Sequence, residues 1–508
     1  MDGLWVRSAW KFPWRRAQPL HLSVQKPESE SLKRTGEICG LSDMYRLPRE
    51  LLDMIQCDSR RSLFWRCISA VQLASRVTRT TPKPLISFQL GQVLSWKRNE
   101  YPEYITSKTE LPIIRLTIDS DGISRVERLS CAPVYSGECN NHYRPIVEHV
   151  SQVAKIQVQL KDCLMRLILP DGQPAPAIWN TPAPPDLAYC KAYGSEPVSR
   201  HHIREFFGSD SFSWQHFHAV EANKIRGITF YFLRGKFSGI YIHYEEEPSA
   251  MDDEYDRFIN RREEKSVWIH LPIPKNDRLL ALDVRQGRRL MSLNILVRTK
   301  LVGDIIIGQR VVDPYTDLCL SSSSAPETVV YGVPPGTNPV TFFGTYYKPP
   351  YQAHPPKMFP LEKCYSSTFA SGPRDMFHTW ASLEDVSSTL TFNDPNTGIC
   401  KGIMFQYRNG GCRTVGQCRW HVDSTIRVEH PRVFQFKREV RALNMARVAF
   451  QHSEDEQAQE GWECHLLKGF VTFWFTDGWS YLAINADKAH PDMDMRPMCA
   501  DQSLHLKI

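Results

Sequence analysis

Ile225-Arg226-Gly227-Ile228-Thr229-Phe230-Tyr231-Phe232 is followed by Gly235 and by a second apolar stretch containing Gly239. Cys400-Lys401-Gly402-Ile403-Met404-Phe405-Gln406-Tyr407 is followed in the same way by Gly410 and by a stretch containing Gly416. Both read as strand, glycine turn, strand, with a basic residue, a glycine and alternating aromatics in register. Two such segments predict an internal repeat. Phe230 and Phe232 share one strand face, as do Phe405 and Tyr407, so each pair is expected to point into its own core. Gly227 and Gly402 are expected where a strand runs close to another backbone.

Further strands are predicted beyond each segment: at 267–272, 279–284, 293–297 and 304–307 after the first, and at 432–436, 440–443, 464–467 and 470–475 after the second. Short strands at near-regular spacing argue for a barrel, sandwich or prism rather than a βαβ sheet. Upstream, 113–118 breaks at Asp121-Gly122 and resumes over 123–129, a hairpin by alternation and turn chemistry. Residues 153–160 and 164–169 read as another strand pair.

Proline marks the joints. Seven of the 28 residues from 170 to 197 are proline, which predicts a connecting loop. Ten of the 48 from 313 to 360 are proline, about three times the chain average of 35 in 508, and a serine run occupies 321–324. A linker follows from that composition, with Phe342, Phe343, Tyr346 and Tyr347 packing part of it along a domain surface. The expected organisation is a basic, Trp-containing tail (1–43), short helices (44–80), a β-rich region ending in the Pro-rich loop (81–197), a first β unit (198–312), the linker (313–362) and a second β unit (363–508).

The tail carries Arg7, Lys11, Arg15 and Arg16 interleaved with Trp5, Trp10 and Trp14. After it, Leu47-Pro48-Arg49-Glu50-Leu51-Leu52-Asp53-Met54-Ile55 opens on a proline at a first-turn position and places Leu51, Leu52 and Ile55 on one stripe. Phe64, Ile68 and Val71 at i, i+4 and i+7, widened by Trp65 and Leu73, predict a second helix, stopped by Pro82 and Pro84.

The Leu-Pro-x-Glu-Leu-Leu-x-x-Ile opening, followed by Phe64-Trp65-Arg66 ahead of an apolar helix, resembles the F-box-like segment of a fungal protein family. That resemblance implies docking to a Skp-type adaptor of a cullin ubiquitin ligase through Leu47, Pro48, Leu51, Leu52, Ile55 and Trp65. An ordinary two-helix cap is the other reading of the same residues. The Ile225-Arg226-Gly227-Ile228 opening, the Lys275-Asn276-Asp277-Arg278-Leu279 turn and the Thr299-Lys300-Leu301-Val302-Gly303-Asp304 run resemble a jacalin-type β-prism. Such domains hold sugars in a Gly-x-x-x-Asp loop, and that pattern does not occur in this chain. Asp477, Trp479 and Tyr481 at the end of the second unit supply a carboxylate and stacking rings of the kind a glycan takes. A β-turn followed by a core-facing aromatic explains them equally well.

Composition narrows the partners. The chain has 62 Lys+Arg against 56 Asp+Glu, a net charge of +6 too dilute to predict nucleic acid binding. No apolar run approaches the ~20 residues of a membrane span. Fourteen cysteines form no CxxC, and Cys400, Cys412, Cys418 and His421 match no common zinc spacing. His216-Phe217-His218 would turn two rings to one strand face without a second ligand pair nearby. Asp492-Met493-Asp494 has no nucleotide fold around it. No phosphate loop, dinucleotide fingerprint, HExxH or nucleophile elbow is present. The expectation is a mainly β, non-enzymatic protein of the cytoplasm or nucleus, without cofactor or metal. Its short F-box-like helical element precedes two related jacalin-like, β-prism or β-sandwich units. It acts as an interaction adaptor, with lectin-like carbohydrate binding as the alternative.

Overall fold

The computed structural model describes residues 28–485 apart from internal segments, the longest being 195–214, 246–265 and 348–375. The chain is mainly β, in several separate sheets, and among the described residues none closes into a barrel. It divides into two compact units, residues 1–185 with 198–219 and residues 186–197 with 220–508.

The first unit opens with three helices: α1 (Ser29–Ile38), α2 (Arg49–Asp58) and α3 (Leu63–Arg79). The expected tail is thus helical from Ser29 onward, while residues 1–27 and their three tryptophans lie outside the described residues. Helix α1 escapes a periodicity reading because it buries one leucine, Leu32, with the small residues Ser31, Thr35 and Gly36. Pro48, in an extended conformation, is the residue before α2 rather than its first turn.

The β part of this unit holds β1 (Ile86–Gln89), β2 (Val93–Lys97), β3 (Glu103–Tyr104), β4 (Ile113–Asp119), β5 (Gly122–Leu129), β6 (Arg144–His149), β7 (Gln157–Lys161), β8 (Leu164–Ile168) and β9 (Ala177–Trp179). A short helix, α4 (Val150–Val153), replaces the start of the strand expected from 153. One sheet runs β1-β7-β8; the other runs β9-β6-β4-β5-β2-β3. In β4 the alternation is strict: Ile114, Leu116 and Ile118 are fully buried while Arg115 and Thr117 face outward. Those three pack with Val158, Leu160 and Met165 of β7 and β8, so the two sheets share one core. The β4–β5 hairpin turns where the sequence predicts it, with Gly122 at φ +106°.

The second unit takes β10 (Cys190–Tyr193) out of the Pro-rich 170–197 stretch. The chain enters it for good within β11 (Gln215–Glu221), whose next residue, Ala222, donates its N–H to Glu327 O. A first β set follows: β12 (Gly227–Leu233), β13 (Lys236–His243), β14 (Ser266–Pro272), β15 (Leu279–Gly287), β16 (Leu293–Thr299), β17 (Gly303–Ile307), β18 (Tyr315–Cys319), β19 (Thr328–Val333) and β20 (Phe343–Tyr346). Its strands lie in the orders β13-β12-β14 and β17-β16-β15-β18, with β10-β20-β19-β11 as successive neighbours in a longer sheet. The Arg234-Gly235 turn of β12–β13 has two positive φ angles, the two-residue geometry that suits strand twist.

Three of these strands lie inside the 313–362 stretch expected to be a linker. The prolines explain the difference: the described Pro326 and Pro339 sit between the strands rather than within them. Averaged composition hides what they flank. Val329 and Phe343 are fully buried, and Tyr346 and Tyr347 are buried too.

The second β set comprises β21 (Phe377–Ser382), β22 (Val386–Asn393), β23 (Cys400–Tyr407), β24 (Cys412–Gly416), β25 (Ser424–Glu429), β26 (Val433–Glu439), β27 (Met445–Gln451), β28 (Glu463–Leu466), β29 (Phe470–Phe475) and β30 (Ser480–Asn485). Its sheets run β21-β29-β30, β24-β23-β22-β25 and β27-β26-β28. The strand expected at 440–443 lies outside the described residues. In each set the four-stranded sheet has the Greek-key order, the fourth strand returning beside the first.

Both opening segments are strand, turn, strand, and all four of their aromatics are buried, but two particulars differ. Strand β12 is the first of its sheet and takes the downstream β14 as second neighbour. Strand β23 is the second of its sheet and takes the upstream β22. Phe230, Phe232, Phe405 and Tyr407 belong to one continuous core spanning both sets, not to a core each. Gly402 has the close backbone it was expected to have: a Cβ there would lie 2.5 Å from Gln417 O. At Gly227 the nearest neighbour is instead the His270 ring, 2.8 Å from the same imagined atom.

Candidate docking face

The helical module is small and incompletely covered. Its core is Leu32, Leu52, Trp65 and Ile68, with Met44, Tyr45 and Phe64 packed against it. Trp65 is fixed by more than burial: its indole N–H donates to Ser59 Oγ at 2.8 Å. The Ser59 hydroxyl donates to Ile55 O, closing the end of α2. The α2–α3 corner is therefore held by one serine.

Of the residues singled out in sequence, Leu52 and Trp65 face inward. Leu47, Pro48, Leu51 and Ile55 face outward, with Leu51 45% and Ile55 37% exposed. The stripe predicted to be shared by Leu51, Leu52 and Ile55 is thus split, because successive helix positions stand about 100° apart. Met54, 62% exposed, joins the outward row. The i+3 spacing from Leu51 marks it, and the sequence reading passed over it.

This concentration is uneven across the protein. Among the described residues, seven of the eighteen large exposed hydrophobics fall between Ile38 and Leu63: Ile38, Leu41, Leu47, Leu51, Met54, Ile55 and Leu63. Single exposed apolar side chains need no explanation, but a run of them on one small module makes it the candidate for an interaction face.

A second candidate lies at the β29–β30 hairpin. Thr476 N–H donates to Trp479 O, and the Thr476 hydroxyl accepts from the N–H groups of Gly478 and Trp479. Asp477 and Gly478 are exposed, and Trp479 and Tyr481 are half-buried with rings stacked at 6.4 Å and 11°. Arg438, unmarked in the sequence reading, lies 4.9 Å over the Tyr481 ring and pairs with Glu463. The turn therefore presents a carboxylate beside a flat aromatic step.

His216 and His218 are half-buried on β11, flanking the buried Phe217. Cys400, Cys412 and Cys418 are buried, with burial pushing the Cys400 thiol up to about 12. Among the described residues no three His, Cys, Asp or Glu side chains gather as a metal set. Asp492-Met493-Asp494 lies outside the described residues. No described helix is long and apolar enough to cross a membrane. A scan against protein-family models and a search of curated proteins find no match to this chain.

Proposed function

We propose that this chain is a non-enzymatic adaptor whose helical module docks a helical partner of the Skp type while its β units hold another protein. The supporting observation is the outward row Leu47, Leu51, Met54 and Ile55 on a module whose inward face is already filled. An amphipathic helix offering such a row suits a hydrophobic groove. The β sets are read as two related prism-like units. Each contains a four-stranded sheet of the same strand order, and the second also pairs its opening strand β21 with its closing strand β29.

The test is a binding measurement with a purified Skp-type adaptor. Leu51→Asp with Ile55→Asp removes about 3–6 kcal/mol of apolar burial from a docked interface, so at least a hundredfold loss of affinity is expected. Both side chains are exposed, so Tm should stay within about 2 °C of wild type. Failure of the wild-type chain to bind the adaptor rejects this reading.

Carbohydrate binding is the second reading, favoured by the exposed Asp477 beside the Trp479–Tyr481 step. A glycan array is the direct check. A hit that survives Leu51→Asp/Ile55→Asp but disappears in Trp479→Ala would replace the adaptor assignment with the lectin-like one.

A further inference from the structure

The outer face of the β13-β12-β14 sheet carries aromatic and imidazole side chains, and it is covered. Thr229, Tyr231, Trp268 and His270 lie on it, all nearly inaccessible. The cover comes from the second β set. Gln417 Oε1 accepts from Trp268 N–H at 3.1 Å, and the Thr414 hydroxyl donates to His270 O. The Trp420 ring stands edge-on to His270 at 6.0 Å, and Val422 packs against the Tyr231–Trp268 pair. The same turn is tied to its own set, since Gln417 Nε2 donates to Thr476 O.

At the centre of this seam one hydroxyl bridges two imidazoles. Thr229 Oγ1 is 2.8 Å from His243 Nε2 and 3.0 Å from His270 Nδ1. A threonine hydroxyl has one hydrogen, so it donates to one of these nitrogens and accepts from the other. The arrangement is satisfied only while at least one facing nitrogen is bare, which means a neutral ring. The rings are 4.7 Å apart and edge-on, and the His270 ring is wedged against Gly227. A charged pair could neither separate nor reach water.

Among the described residues, the other charges close to the bridge offer little relief. His421 on the covering turn is a like charge when protonated. Arg419 of that turn is engaged by Asp423. On the side of β13, Tyr241 is uncharged and meets the His243 ring edge-on. Arg226, whose N–H donates to His243 O, pairs with Glu245, which Lys275 also holds. Neither carboxylate is left to receive an imidazolium.

We propose that the His243–Thr229–His270 bridge is a proton-operated latch on the seam between the two β sets, closed while the rings are neutral and released when they are protonated. Burial, followed by the charge of His421, holds His243 down at about 4. Burial, followed by the charge of His243, pushes His270 well below the usual imidazole range. Both rings therefore gain protons on opening. The closing energy is complete above the ordinary imidazole value of about 6.5 and is lost as pH falls below it. The opening equilibrium should rise up to about tenfold per pH unit for each ring.

Cys418, fully buried on the turn that carries Gln417 and Trp420, with its thiol against Val415 O, reports movement of that covering turn, and the exposed Cys464 of the same chain is an internal reference. The full-length protein is labelled with 4,4′-dithiodipyridine at pH 7.5 and at 5.0, and the ratio of Cys418 to Cys464 modification is read by peptide mass spectrometry. The expected result is a ratio at least thirtyfold higher at pH 5.0. His243→Gln and His270→Gln cannot titrate, and each should flatten the dependence by about tenfold per pH unit. Hydrogen exchange of β23 in the second β set, measured alongside, should stay slow at both pH values. A pH-independent ratio overturns the latch. So does an unaltered slope in both variants, or loss of β23 protection together with Cys418 exposure, which would mean acid unfolding of the whole set.

Discussion

Phe230→Ala is expected to remove about 3–5 kcal/mol of stability, a large part of the ~5–15 kcal/mol available to an ordinary domain. Phe230 is fully buried in the middle of β12, between Ile240 of β13 and Ile269 of β14, and its ring lies 6.0 Å from Phe237. Its core is continuous with Phe405 and Phe473 in the second β set, so the cavity would be felt beyond the first. Thermal unfolding of the variant against wild type measures the loss. Tyr346→Ala belongs in the same experiment. A linker tyrosine would cost little, but Tyr346 is 6% exposed and pairs with Cys190 on one side and Thr328 on the other, at the end of a strand with a neighbour on each side. Its replacement should approach the Phe230 value, while Thr316→Ala on the exposed strand β18 should stay within about 0.5 kcal/mol. A near-zero shift for Tyr346→Ala would contradict its place in β20.

Arg413→Leu is the second large expected effect. Arg413 is 6% exposed, and its guanidinium stacks 3.8 Å over Trp380. It donates to three main-chain carbonyls: Trp380 O at 2.7 Å, Val302 O at 3.3 Å and Asp304 O at 3.0 Å. The last two lie in the first β set and Arg413 itself in β24, so a single side chain joins the two sets. Leucine fills part of the volume but leaves three half-buried carbonyls without this charged donor and removes the stacking on Trp380, a loss of about 3–5 kcal/mol in total. Arg413→Lys should recover only part of it, because one ammonium cannot reproduce the planar fork. Chemical denaturation of the three proteins orders them; equal stability of Leu and Arg would show that water reaches these carbonyls.

What the sequence displayed and what it concealed divide along a physical line. The β4–β5 and β12–β13 hairpins were readable because alternation and a turn glycine are local properties of a few consecutive residues. The pairing of β14 with β12 rather than with β13 was not, since no local signal chooses between two antiparallel neighbours. Nor was the seam. Thr414, Gln417 and Arg413 carry no local sequence signal, and only the fold places partners opposite them. On the helical module, sequence spacing found Leu51, Leu52 and Ile55. Which of them face inward depended on α1, a helix whose single buried leucine gave no periodic signal.

The covered face of the β13-β12-β14 sheet has a consequence for how the protein is made. Strand β14 ends at Pro272, whereas the residues that cover its sheet extend to Val422. At about 5–20 residues per second, the ribosome needs roughly 8–30 s to deliver that cover. Through this interval Tyr231, Trp268 and His270 belong to a nascent chain with nothing yet synthesised to shield them. The second β set cannot close sooner, because β21 pairs with β29, which ends only at Phe475. The protein therefore spends a substantial part of its synthesis with a sticky aromatic sheet on view, and that window is where dependence on a ribosome-associated chaperone should fall.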